Sequence, residues 1–370
     1  MNMKVFLINS SKTWGGGEKW HLETACSLKN KGFDVAILAR RDKDLYIRSV
    51  ASGITTRPIS ISNLSFINPY CLIMLVRLFK KEEPDAIILN FSADIKTAGI
   101  AAKIAGIRNI IYRRGSAIPI RNTWINRMLY STVISQIIAN SEETKRTILQ
   151  NNPKLFPPEK ITVIYNGIDL VQFDQMPAVK LCERGKDEII IGNAGRLVLQ
   201  KGQKHLIEMA VELKKHGNIF KILVAGDGPL EASLKKLATD AGVEDNIMFL
   251  GFVDNVKAFM ETIDVFVLTS IWEGFGYVLV EAMACKKPVV AFHISSNPEI
   301  VAHNETGYLV KYLDIKAFTA KVTELILDPV LREKWGKAGR KRVEDYFEIG
   351  KNQHQVELFL RGLTGIEQKV

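Results

Sequence analysis

Cysteine is scarce in this 370-residue chain, and the four present, Cys26, Cys71, Cys182 and Cys285, stand far apart. The absence of a C-x-x-C pair excludes a disulfide framework and a zinc ribbon and fits a reducing cytosol. No run approaches about 18 consecutive uncharged apolar residues, so no helix is expected to span a bilayer. The opening Met1-Asn2-Met3-Lys4-Val5-Phe6-Leu7-Ile8-Asn9 turns polar too soon for a signal peptide and is expected to form a first strand. Acidic residues are short on one side only. Residues 1–150 hold 22 Lys/Arg against 11 Asp/Glu, whereas 151–370 hold 28 against 29, so the first part carries the whole net charge of +10. A one-sided basic surface concentrates anionic partners. No nucleic-acid motif accompanies the charge, which argues against nucleic acid.

What is present is ample apolar material, 47% of residues, enough for two or three domains at roughly 150 residues each. Short apolar runs alternate with helical patterns. Lys4–Asn9, Asp34–Ala39, Asp85–Asn90, Asn109–Tyr112, Ser135–Ala139 and Ile161–Tyr165 are expected strands. The alternation restarts with strands at Glu188–Asn193, Phe220–Ala225, Asn246–Leu250, Asp264–Leu268 and Pro288–Ala291. This pattern predicts an α/β fold of two Rossmann-like parallel-sheet domains with helices on both faces. The expected division is a first domain over 1–170, a linker over 171–187, a second domain over 188–350 and a C-terminal helix in 351–370 that packs back on the first domain. Open α/β sheets bind ligands at the carboxyl ends of their strands, so a central cleft is expected.

Four loop motifs follow strands. Gly15-Gly16-Gly17 lets backbone amides approach a phosphate at the positive end of a helix dipole, or is an ordinary tight turn. Gly195-Arg196-Leu197 and Gln200-Lys201-Gly202 set two cations five residues apart, which suits a diphosphate; either alone reads as surface charge. Gly226-Asp227-Gly228-Pro229 reads as shape rather than chemistry. Glu273-Gly274-Phe275-Gly276-Tyr277-Val278-Leu279-Val280-Glu281 brackets a helix N-terminus with two carboxylates able to accept hydrogen bonds from vicinal hydroxyls, as in a ribose or another sugar. Two helix-terminal charges are the plain alternative. Asp42-Lys43-Asp44 is formally D-x-D but lies in a charged loop, where capping suffices; no metal and no cofactor are expected.

In this order and spacing, the glycine loop, G-R-L, Q-K-G, G-D-G-P-L and E-G-F-G-x-x-x-x-E resemble glycosyltransferase family 4. Asn140-Ser141 and Tyr165-Asn166-Gly167-Ile168-Asp169 add to the likeness. The resemblance implies the GT-B fold and retaining transfer of a sugar from a nucleotide diphosphate-sugar to a glycan or glycolipid. It implies that Arg196 and Lys201 bind the donor diphosphate, Glu273 the transferred sugar and Glu281 the ribose. Phe275, Gly276 and Tyr277 would lie by the sugar and distal phosphate, Gly16 and Gly17 would reach the diphosphate, and Phe252-Val253 would line the base pocket.

Two departures stand out. Many relatives have a histidine after the strand ending at Tyr112; here Arg113-Arg114-Gly115 follows, which suggests an anionic acceptor or a second clamp on the donor. Ser295-Ser296-Asn297 replaces the family's Gly-Gly before Pro298-Glu299. Residues Arg121–Tyr130 read as a helix with apolar Trp124, Ile125, Met128 and Leu129; packing on its own domain is the plainer explanation, contact with an anionic membrane the other. The resulting expectation is a cytoplasmic enzyme of lipopolysaccharide, capsule or other cell-surface polysaccharide synthesis, at the inner face of the membrane. Its rivals are another GT-B nucleotide-sugar or phosphorylase-type enzyme and a non-catalytic GT-B scaffold at the membrane. A nicotinamide dehydrogenase fits worst, since G-x-G-x-x-G is absent.

Overall fold

The computed structural model describes residues 2–364. Two compact units divide the chain: one runs up to Asn166 and resumes at Gly350, the other is Gly167–Ile349.

In the first unit, strands β1 (Lys4–Asn9), β2 (Asp34–Ala39), β3 (Thr55–Pro58), β4 (Ala86–Leu89), β5 (Asn109–Arg114), β6 (Gln136–Ala139) and β7 (Ile161–Val163) form one sheet in the order β3-β2-β1-β4-β5-β6-β7. Every pairing is parallel. The central strands are buried on both sides, which is why they read as continuous apolar runs. Alternation sorts them: Phe6 and Ile8 join the core on one face, Val5 and Leu7 the core on the other. The last helix, Ile349–Thr364, puts Val356 and Leu360 into that second core. Its Glu357 meets Lys31 at 2.7 Å and Arg361 at 3.0 Å. These cations and His354 outweigh burial and bring the Glu357 carboxyl down to about 2.

The second unit carries β8 (Ile189–Ala194), β9 (Phe220–Ala225), β10 (Ile247–Gly251), β11 (Val265–Leu268), β12 (Val289–Phe292) and β13 (Gly307–Val310) in the order β10-β9-β8-β11-β12-β13. The strand order reverses direction between β8 and β11, just as it does between β1 and β4 in the first unit. At such a switch point the loops leaving two neighbouring strands part to opposite faces and leave a crevice at their carboxyl ends.

Two strands lie where none was expected. Thr55–Pro58 is a short edge strand whose proline cannot donate to a ladder, and Gly307–Val310 is a four-residue edge. The stretch 171–187, expected to lack a period, opens inside a helix, Leu170–Gln175. Asp169 caps it by accepting from the Gln172 amide at 2.8 Å, and it buries Leu170 and Phe173. The helix expected over Arg121–Tyr130 begins only at Trp124, capped by Thr123, and widens into a π turn at Leu129–Val133. Among the described residues no helix is long and apolar enough to cross a membrane.

Candidate functional site

In the second unit the loops leaving β8 and β11 are knitted together. The Ile271 amide donates to the Gln200 carbonyl at 2.7 Å, and Gln200 Nε2 donates to the Trp272 carbonyl at 3.0 Å. Thr269 Oγ1 donates to the Lys201 carbonyl at 3.2 Å. The close approach depends on Gly202, whose φ is +62° and where a Cβ would collide with the Thr269 carbonyl oxygen. Lys201 Nζ thereby lies 2.7 Å from Glu273 Oε1, and Ser270 Oγ donates to the same oxygen at 2.6 Å. Glu273 is 5% exposed. The Lys201 side chain is 20% exposed against 6% for that of Glu273, so the lysine is the more accessible member of the pair. Gln203 Nε2 holds the Arg196 carbonyl at 2.9 Å while the Arg196 side chain is exposed. One fixed ammonium and one free-standing guanidinium on a single loop can bind a diphosphate as point charge and planar fork.

The neighbouring loops continue this row. Cβ atoms at Gly226 and Gly228 would run into the carbonyls of Gly195 and Leu197, so the G-D-G-P motif sets the spacing of the β8 and β9 loops. The Gly226 amide donates to the Gly251 carbonyl at 2.7 Å, which brings the end of β10, with exposed Phe252 and half-buried Val253, to the same edge. On the other side, Gly276 in the left-handed region starts the helix Tyr277–Ala284. Phe275 is buried, its ring edge-on to Tyr277 and Phe347 at 5.2 and 5.7 Å. Glu281 stands half-buried in the body of that helix, between buried Val280 and Ala282. A larger cavity of about 1270 Å³ opens at the amino end of β8, by Ile189 and Ile219, at the opposite end of the sheet from Lys201 and Glu273.

The first unit has its own loop cluster. The helix Gly16–Asn30 starts within the glycine loop after β1. A Cβ at Gly17 would lie 3.2 Å from Asn90 Nδ2 and 3.6 Å from an Arg113 guanidinium nitrogen. The loop therefore rests on residues that follow β4 and end β5. Arg113 is 3% exposed; it donates to Asn166 Oδ1 at 2.9 Å and lies 5.0 Å from the Trp20 ring centre. Arg114 behaves differently, donating to the Tyr112 hydroxyl at 3.1 Å and to the Ile118 carbonyl. His21 is fully buried and donates from Nδ1 to the Gly17 carbonyl at 2.9 Å. Burial, then the Arg113 charge, lower its pKa to about 3, so it is a neutral support of the glycine loop. Asn90, Ser270 and His21 were given no role from sequence, and Asn166 entered only within the Tyr165–Asp169 likeness. Asp42 sits at φ +58° and Asp44 starts the helix Asp44–Ala51.

Residues 14–172 match the family Glycosyltransferase Family 4, and residues 182–342 match Glycosyl transferases group 1. The capsular polysaccharide biosynthesis glycosyltransferase CapM of Staphylococcus aureus is 31% identical over 349 residues, covering 86% of this chain and 87% of CapM. The chain belongs to glycosyltransferase family 4. Solved structures carry the fold. A glycosyltransferase from Rickettsia africae covers 99% of this chain and all of its own, with a TM-score of 0.88 at 21% identity. Anabaena HepE, described in complex with UDP and glucose, covers 98% of this chain and all of its own, with a TM-score of 0.83 at 22% identity. The two parallel sheets are those of a GT-B glycosyltransferase. Within this family 4 member, the arginine pair Arg113-Arg114 closes β5, which runs two residues beyond the expected Tyr112, and Ser295 holds a left-handed φ of +46°.

Proposed function

We propose that this family 4 glycosyltransferase transfers a sugar from a nucleotide diphosphate-sugar, with retention, to a glycan or lipid-linked acceptor in bacterial cell-surface polysaccharide synthesis. The observation that carries the reading is the Lys201–Glu273 pair at the β8/β11 switch point, with Arg196 on the same loop. Breaking the bond between the sugar and its diphosphate leaves a nucleoside diphosphate, and fixed cations lower the energy of that developing charge most. Glu273 is engaged by Lys201 and Ser270, which suits a carboxylate that orients cation and sugar hydroxyls more than one that attacks carbon. In the proposed reaction the acceptor oxygen bonds the anomeric carbon on the face the diphosphate leaves, and the acceptor proton passes to the departing phosphate oxygen. Phe275, Gly276 and Tyr277 line the sugar side, Glu281 holds the ribose, and Phe252 and Val253 lie by the base. Neither a metal nor another cofactor enters this scheme. HepE's description with UDP and glucose and CapM's role in capsular polysaccharide support the donor and pathway classes.

The first unit is assigned the acceptor, and its Gly16 and Gly17 amides are assigned to bind phosphate. An anionic acceptor and a place at the inner face of the cytoplasmic membrane fit its charge. From Ile95 to Ser141 there are seven Lys/Arg and no Asp/Glu. Trp124 and Met128 within that stretch are exposed, as are Tyr70 and Ile73 of the helix Pro69–Glu82. The test is a thermal-shift screen against nucleotide sugars followed by NMR of the product formed with the stabilising donor. An anomeric configuration equal to the donor's is expected. Inversion would refute the retaining reaction, and no stabilisation by any nucleotide sugar would refute the donor class.

A further inference from the structure

A cavity of about 540 Å³ lies within the first unit, between the ends of β4 and β5 and the segment around Trp124. Its lining includes three cations, Lys96, Arg114 and Arg121, and no carboxylate. Three like charges around one space repel one another, a cost relieved when an anion enters. Arg114 is held in place by the Tyr112 hydroxyl and the Ile118 carbonyl, while its Nε is buried without a partner. A guanidinium held at both terminal nitrogens has its orientation set in advance of a ligand, and each of those nitrogens keeps a second N–H to donate. Tyr112 and Tyr130 stand edge to face at 6.2 Å in the same wall. Burial first, then Tyr112, push the Tyr130 phenol well above its usual pKa, so it keeps its proton as a donor. Trp124, at 66% exposure, offers an aromatic face beside them.

We propose that this cavity binds a phosphate or diphosphate ester, with the anion among Lys96, Arg114 and Arg121 and its substituent against Trp124. The volume falls within the range of roughly 300–1000 Å³ typical of small-molecule sites, so the substituent enters with the anion. The proposal rests on the assignment of the acceptor to this unit and names the chemistry of that acceptor. The phosphate is borne either by a soluble ester or by a lipid.

The test titrates the full chain, saturated with a nucleoside diphosphate to fill the other unit's site, with inorganic pyrophosphate. The change of tryptophan fluorescence is read against a Trp124→Phe control. In parallel, vesicles of phosphatidylcholine with and without phosphatidic acid are tested by flotation. Lys96→Gln combined with Arg121→Gln is expected to weaken pyrophosphate or phosphatidic-acid binding at least about tenfold, with nucleoside diphosphate affinity unchanged. Arg121 is exposed and Lys96 lies 5.9 Å from the Phe66 ring, so the pair can be changed without opening the core. Arg114→Gln tests the fixed cation separately. Pyrophosphate binding lost in the variant supports a soluble source, and binding confined to phosphatidic-acid vesicles and lost in the variant supports a lipid one. No binding of either probe, or equal binding by both proteins, overturns the proposal. Failure of the nucleoside diphosphate itself to bind strikes the donor assignment instead, and pyrophosphate titrated into the ligand-free chain then still reads this cavity.

Discussion

Acid should remove the stability that the first unit draws from holding His21 neutral, against an opposite contribution from buried Asp94, whose pKa burial raises to about 6. Its pKa is about 3 in the folded chain, against 6.5 for the free group. A folded pKa below the unfolded one means that the unfolded chain binds the extra proton. The stabilising preference for neutral His21 is therefore complete above pH 6.5 and is lost as pH falls toward about 3. The loss relative to neutral pH is roughly 2 kcal/mol at about pH 5 and roughly 3 kcal/mol at about pH 4. His21→Asn keeps an N–H near the Gly17 carbonyl and removes the titration. The assay is hydrogen exchange of the slowest amides of β1 and the helix Gly16–Asn30, corrected for intrinsic rates, at about pH 7.5 and about pH 5 in both proteins. The wild-type chain should lose about 2 kcal/mol more protection than the variant between those conditions. Parallel losses in the two proteins would refute the claim that His21 is held neutral.

Gly202→Ala forces a side chain into the left-handed region and against the Thr269 carbonyl; it should cost at least about 2 kcal/mol and lower the melting temperature of the second unit by about 5 °C. An unchanged melting curve would show that the β8 and β11 loops are not packed as described. Glu281→Ala should weaken nucleoside diphosphate binding about tenfold to a hundredfold by calorimetry, through loss of the hydrogen bonds that ribose hydroxyls donate to a charged acceptor; equal affinity would remove the ribose role. On the helix Pro69–Glu82, Tyr70, Ile73 and Met74 are 76%, 50% and 42% exposed. Tyr70→Ser with Trp124→Ser should abolish flotation with anionic vesicles, and flotation equal to the wild-type chain would place membrane contact elsewhere.

Strands such as Lys4–Asn9 and Phe220–Ala225 were legible because a strand buried on both faces must be apolar throughout. Thr55–Pro58 was not, because an edge strand of Thr-Thr-Arg-Pro has no such requirement. The candidate site was legible as motifs at strand ends, since glycine and charge there have few structural uses. Its pairing was not, because Lys201 and Glu273 are 72 positions apart and meet only through the β8–β11 adjacency. Arg113 and Arg114 look alike in sequence. Side-chain direction alternates along β5, so one goes beneath the glycine loop and the other to the cavity wall. The exposed Tyr70, Ile73 and Met74 were not read from sequence, because which face of a helix is left uncovered depends on what packs against it.

The most direct test of the central claim is calorimetry of the donor identified by thermal shift, with its nucleoside diphosphate, against the wild-type chain, Lys201→Ala and Arg196→Ala. The account predicts that each substitution weakens diphosphate binding by about tenfold or more and that Lys201→Ala also lowers turnover by orders of magnitude. Unchanged affinity and turnover in both variants would contradict it.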